Sequence, residues 1–270
     1  MAVTDADILI LCKTYPSPSG KYTETSCVAG MDDKGNLIRL FPVPFRLIAK
    51  DQQFKKWQWV KAKIEKAPKD HRPESHVIKV DTIRSGADVP SKKEWAERRV
   101  HLDRLKLFTD FEAIEAERAK SNRSLALLKP ARIIGLNVSP VSNPDWTEEE
   151  LAKLEQEQKQ AGLFEEDEKP TIKTLRKLGH DFYFRYECET PQGTKSYRHK
   201  IVDWEAGALY LRCIQTYGDD WEAVFRTKME KELPAKDLML LMGNIHRFQE
   251  QWLIISLIYP PHRKQGTLLL

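Results

Sequence analysis

No run of this chain approaches the roughly 18–20 consecutive apolar residues that a membrane helix needs. The longest candidate, Leu253–Tyr259, has the length of a strand. At the N-terminus Asp5 and Asp7 precede the short run Ile8–Cys12, so there is no basic-then-apolar export signal. A cytoplasmic protein without a membrane partner is expected. Cysteine is scarce: Cys12, Cys27, Cys188 and Cys213 lie far apart and form no CxxC pair. That excludes a zinc ribbon and a thioredoxin motif, and reduced thiols are the simplest reading. Catalytic signatures are also missing. There is no P-loop, no strand-linked GxGxxG, no GxSxG elbow, no HExxH and no Pro-Cys-x-x-Cys. No catalytic residue, metal ligand or cofactor is therefore assigned, and an enzyme is not expected.

What is present is a foldable chain with uneven charge. Of its 270 residues, 41% are hydrophobic and 31% charged, enough for one large domain or two small ones and too apolar for global disorder. The net charge of +4 hides an asymmetry. Residues 145–169 hold ten acids and three lysines, a local −7, which leaves +11 on the rest. Residues 39–72 hold ten Lys/Arg against Asp51, Glu65 and Asp70, a local +7. Such a distribution fits a polyanion partner on one side of the molecule, and equally a solvated surface.

Periodicity predicts two β-rich halves. Ile8–Lys13, Thr23–Met31, Asn36–Val43, Trp57–Lys66 and His76–Ile83 read as short strands joined by turn residues such as Asp32-Asp-Lys-Gly35. Ser91 with Glu94 and Thr109 with Glu112 are spaced as capping boxes for helices over 92–106 and 110–120. Leu125–Val138 returns as a strand. A third capping box, Thr147 with Glu150, opens an acidic helix over 147–161. The second half begins with the aromatic strand Asp181–Cys188 and its partner Ser196–Val202. Asp203 caps a helix that ends near Gly218, a second helix follows to Leu233, and Leu238–Gly243 and Trp252–Tyr259 complete the set.

A single strand of nucleic acid is held by cations on its phosphates and aromatic platforms under its bases. Residues 39–59 interleave the two: Arg39, Phe41, Phe45, Arg46, Phe54, Lys55, Lys56, Trp57 and Trp59. Trp57, Trp59, Lys61 and Lys63 share one strand face. That face is a cationic, aromatic shelf if it points outward; if it points inward the tryptophans are core. Lys13, Tyr15 and Lys21 in the first loop, Arg72, and Arg198 with Lys200 join the candidate binding set. Glu65, Asp70, Glu74 and Asp81 with Lys63 would be the members of a metal-dependent nuclease cluster, but their spacing fits no motif and a cross-strand ion pair accounts for Lys63 and Glu65.

Several blocks carry a family resemblance: Cys12-Lys-Thr-Tyr-Pro16, Cys27-Val-Ala-Gly30, Ile38 through Arg46, Phe54-Lys-Lys-Trp-Gln-Trp59, Asp70-His-Arg-Pro-Glu-Ser75, Ile201-Val-Asp-Trp-Glu205 and Tyr259-Pro-Pro261. Together they resemble the bacterial proteins with a dual OB-containing domain, over about residues 8–262. The resemblance implies two OB-like barrels, a nucleic-acid-binding role and a setting in prokaryotic antiviral defence or mobile-element conflict. It brings no catalytic residues. The family's paired-cysteine hairpin is represented here by Cys188 and His199 without the second cysteine, so no metal site carries over.

The expected fold is thus β-rich α+β: two small OB-like antiparallel barrels with inserted helices, over 1–139 and 173–270, joined by an acidic helical connector over 140–172. The expected function is a non-catalytic nucleic-acid-binding subunit or adaptor beside an effector protein. Alternatives are a protein-interaction scaffold and a metal-dependent nuclease.

Overall fold

In the computed structural model, residues 2–16, 25–46, 48–152 and 176–263 are described. Lys21 and most of the expected acidic helix lie outside them. The first half closes into a barrel. Its strands are β1 (Val3–Lys13), β2 (Ser26–Met31), β3 (Leu37–Val43), β4 (Gln58–Lys66) and β5 (Ser75–Ile78), in the order β1-β2-β3-β5-β4 with β4 pairing back onto β1. The β3–β5 contact is parallel and the others are antiparallel. A short strand β6 (Arg84–Asp88) extends the free part of the β4 edge. The β2–β3 turn forms as the sequence predicts: Asp32 Oδ1 accepts from the Lys34 and Asn36 amides, and Gly35 adopts φ +88°.

The second half does not close. Its strands β7 (Leu107–Phe108), β8 (Leu125–Leu128), β9 (Arg132–Pro140), β10 (His180–Thr190), β11 (Gly193–Ile201), β12 (Met239–Asn244) and β13 (Trp252–Ile258) form one open sheet, in the order β7-β8-β12-β13-β11-β10-β9. The expected second barrel is therefore corrected to an open sheet, and residues 107–139 belong to it rather than to the first barrel. One physical reason lies at β9. The Leu136 amide donates to Glu230 Oε1 at 2.7 Å and the Leu136 carbonyl accepts from Arg226 Nη1 at 2.7 Å, so side chains take these edge groups instead of another strand.

Three apolar layers follow from a period of two. On β1, Ile8 and Ile10 fill the barrel while Leu9 and Leu11 point out, and all four are fully buried. They are buried because the outer wall of β1 and β2 packs against Leu125, Leu127, Leu241 and Ile255 on one face of the open sheet. A strand covered on both sides reads as a continuous apolar run, which is what Ile8–Cys12 is. The other sheet face carries Phe182, Phe184, Tyr186 and Ile254 under the helices α2 (Phe111–Ser121), α3 (Trp204–Tyr217) and α4 (Trp221–Arg226).

Two of the three capping boxes need revision. Ser91 makes no capping bond, because Lys93, Glu94 and Trp95 take φ values of 48°, 55° and 65° near the start of α1 (Lys92–Leu102). That turn sets the Trp95 ring against Trp57 and Tyr259. The cap of α2 is Asp110, which accepts from the Glu112 amide. The Thr147–Glu150 box forms, with Thr147 N donating to Glu150 Oε2 at 2.9 Å.

Candidate functional site

The tryptophan shelf is not an open platform. Trp57, at φ 67° just before β4, is 3% exposed and packs edge-on against Trp95, while the Arg98 guanidinium lies over both rings. Trp59 shares the outer face with Lys61 and Lys63 but is half-buried against His101. Lys61 and Lys63 are exposed and sit beside Asp7 at 3.7 Å and Asp5 at 4.0 Å. Lys55 is exposed near Asp88. Surface pairs of this kind contribute little and leave the β4 wall nearly charge-balanced. Phe41 is exposed on β3, and Arg46 is half-buried.

Most of the other predicted residues form the seam between barrel and sheet. Arg39 is 4% exposed and its Nη2 donates to the Ser124 carbonyl at 2.7 Å. Arg72, equally buried, donates from Nη1 to the Asn244 carbonyl at 2.7 Å and forks onto Asp70. Burial would raise the Asp70 carboxyl, but the Arg72 fork overrides it and holds the group well below the usual range. Glu74, also buried, accepts from the Ser124 amide and hydroxyl. Lys56 reaches Glu205 at 3.0 Å, the Leu257 carbonyl at 2.8 Å and Asp203 at 3.9 Å. Burial pulls its pKa down, yet Asp203 and Glu205 leave it raised. Tyr15 packs on Trp204 and bonds the Arg176 carbonyl, and Gly207 is needed there because a Cβ would come within 2.7 Å of the Tyr15 ring. Lys13 sits 3.8 Å over Phe45 and donates to the Phe54 carbonyl; burial lowers its pKa to about 8.

The nuclease carboxylates are spread out. Asp70 and Glu74 belong to the seam, and Glu65 pairs with Lys79 at 2.9 Å. Cys188 is buried, and His199 lies 3.0 Å from the Tyr186 hydroxyl and stacks on its ring.

One surface is unlike the rest. Among the described residues, the barrel covers β8, β12 and β13 and leaves the same face of β9, β10 and β11 open. Helix-side residues of β10 are Phe182, Phe184, Tyr186 and Cys188, so alternation turns Tyr183 and Arg185 outward, opposite Lys200 and Arg198 of β11. Arg185 and Arg198 are direct cross-strand neighbours, and both are exposed. Like charges in that register repel. The two side chains splay. Arg198 lies 3.7 Å over the Tyr183 ring, and Arg185 reaches over Gly135, where a Cβ would come within 3.1 Å of its Nη2. Lys200 pairs with Asp181 at 2.7 Å, and Arg132 pairs with Glu187. Among the described residues, neither Arg185 nor Arg198 has a carboxylate within ion-pair distance. Of the predicted set, Arg198 and Lys200 lie here. The sequence reading missed Tyr183 and Arg185. Their signal was the alternation of Asp181–Cys188, which puts one aromatic and one arginine on the face opposite Phe182, Phe184 and Tyr186.

Residues 106–269 match the family model described as Domain of unknown function (DUF8757). The chain belongs to this DUF8757 family. The DUF8757 match contains every strand of the open sheet, including the Arg185–Arg198 face. A second model, Domain of unknown function (DUF8758), matches residues 4–104, which hold the barrel and α1. No curated protein matches the chain. Among the described residues, no helix is long and apolar enough to cross a membrane.

Proposed function

We propose that this protein is a non-catalytic nucleic-acid-binding adaptor that holds a single strand on the open face of β9–β11. The observation that carries the reading is the exposed cross-strand couple Arg185–Arg198 beside Tyr183, a couple with no ion-pair partner among the described residues. Two exposed guanidiniums with no carboxylate within ion-pair distance among the described residues can take anions, and phosphates of a strand supply them at intervals. A base stacks on a guanidinium plane or an aromatic ring, and the Tyr183–Arg198 column offers both.

The barrel's strand order and its parallel β3–β5 contact support reading it as OB-like. In such barrels the β2–β3 face and the β1–β2 and β4–β5 loops take the ligand. Here the chain itself engages part of each among the described residues: Ala29 and Met31 pack on the sheet, Tyr15 holds α3, and Arg72 holds Asn244. The barrel thus acts as a brace, and the strand goes to the neighbouring open face. An effector protein beside it would supply any chemistry.

The test is fluorescence anisotropy with a labelled 15-nucleotide single strand across a salt series. Neutralising one phosphate-binding cation lowers the salt slope by about 0.7. Arg185→Gln with Arg198→Gln is expected to lower it by about 1.4. A slope identical to the parent protein removes this face from the account.

A further inference from the structure

The loop between β12 and β13 displays an aromatic side chain that nothing above uses. Phe248 is 52% exposed at its tip, flanked by the exposed His246 and Arg247. The loop is tightly built. Ile245 N donates to the Gln251 carbonyl at 3.0 Å, Phe248 N to the Ile245 carbonyl at 3.2 Å, and Gln251 N to the Phe248 carbonyl at 2.9 Å. Asn244, 3% exposed, donates from its side chain to the Gln249 carbonyl at 2.9 Å and is itself gripped by Arg72 of the barrel. The exposure of Phe248 therefore belongs to an ordered loop anchored on both halves of the molecule. A single exposed ring is ordinary on a protein surface; what sets Phe248 apart is that a braced loop holds it next to Arg247 and near the Arg198 end of β11.

Register places the loop near the arginine face. β11 and β13 are parallel, with Lys200 opposite Leu253. Residues preceding Leu253 and residues preceding Lys200 therefore leave the paired region toward the same end. Arg198 stands two residues before Lys200, and the loop ends at Gln251, two residues before Leu253. His246 Nε2 lies 3.8 Å from Asp70, so the loop also meets the barrel.

We infer that Phe248 is a base-stacking prong for single-stranded nucleic acid, with Arg247 on the adjoining phosphate, extending the track that begins at Arg185 and Arg198. The inference rests on the nucleic-acid reading proposed above and adds a second, separate contact to it. A π face serves any base, so the prong adds affinity without sequence preference. It acts only on unpaired bases, because the bases of a duplex are already stacked on one another.

The experiment measures anisotropy of a labelled 15-nucleotide single strand and of the same sequence as a duplex, with Phe248→Ala, Phe248→Trp and Arg185→Glu/Arg198→Glu. Phe248→Ala is expected to weaken single-strand binding about tenfold and to leave duplex binding unchanged; Phe248→Trp is expected to keep parent affinity. A strand carrying 2-aminopurine is expected to lose fluorescence quenching with Phe248→Ala and to keep it with Phe248→Trp. If the arginine variant abolishes binding while Phe248→Ala changes neither affinity nor quenching, the prong is overturned and the arginine face stands. If the parent protein binds no strand, both fall. Circular dichroism of Phe248→Ala identical to the parent excludes a folding effect, since the ring is on the surface.

Discussion

Arg72 in the barrel and Asn244 in the sheet are 172 positions apart, and two bonds, at 2.7 and 3.1 Å, join them in the buried seam. Arg72 also neutralises Asp70, and Asn244 in turn fixes the Phe248 loop. One guanidinium thereby links the packing of two halves to the display of a surface loop.

Arg72→Met is expected to destabilise the protein by about 3–5 kcal/mol, since it leaves the Asp70 carboxylate and the Asn244 carbonyl without their partner in a buried site. Urea denaturation measures this. A change below about 0.5 kcal/mol would mean that the seam tolerates the loss and is not held by this guanidinium.

Lys55 and Lys56 are neighbours in sequence with opposite fates. The Lys55 side chain is 78% exposed and that of Lys56 is 9% exposed. Lys55→Ala is expected to change stability by less than about 0.5 kcal/mol. Lys56→Ala strips Asp203 of a buried counter-ion and is expected to cost about 3 kcal/mol. Denaturation midpoints for the pair settle it, and equal effects would contradict the burial of Lys56.

These contrasts show what was readable from the residues. Most of the strand pattern, the Asp32–Gly35 turn, the Asp203 cap and the Thr147–Glu150 box follow from local chemistry and appear in the fold, whereas the expected strand Leu125–Val138 is split into β8 and β9 and His76–Ile83 stops at Ile78. The barrel–sheet seam does not follow from local chemistry. A buried Arg39 or Lys56 looks in sequence like any surface cation, because its partners Ser124 or Asp203 lie dozens of residues away or more. Trp57 likewise read as a member of the β4 alternation, but its φ of 67° takes it out of the strand and turns it into the seam. Openness of the second sheet was equally hidden, since the Arg226–Glu230 cover on Leu136 is a tertiary event.

His199 supplies a pH test. Burial lowers its pKa to about 4, below the ordinary 6.5. Between these values the unfolded chain binds a proton that the folded one does not, so stability rises with pH from about 4 to about 6.5 and falls on acidification through that window. His199→Gln is expected to reduce that slope, by on the order of 3 kcal/mol across the window. Denaturation at pH 4.5 and pH 7 measures it. An unchanged slope would contradict a neutral, desolvated imidazole.

At the sheet edge, Glu230→Ala together with Arg226→Ala frees the amide and carbonyl of Leu136. Exposed strand edges pair with other chains. Concentration-dependent self-association is expected by sedimentation velocity, where the parent chain shows less. Identical sedimentation for both proteins would mean that the side-chain cover is dispensable.

The central claim is that the open face of the second sheet, not the barrel wall, meets a polyanion. It is tested most directly by comparing two charge reversals on one labelled single strand at low salt: Arg185→Glu with Arg198→Glu on the sheet, and Lys55→Glu with Lys61→Glu on the barrel. The account predicts that the sheet variant loses binding by at least about a hundredfold while the barrel variant stays within about threefold of the parent. Loss of binding in the barrel variant, with the sheet variant unaffected, would contradict it.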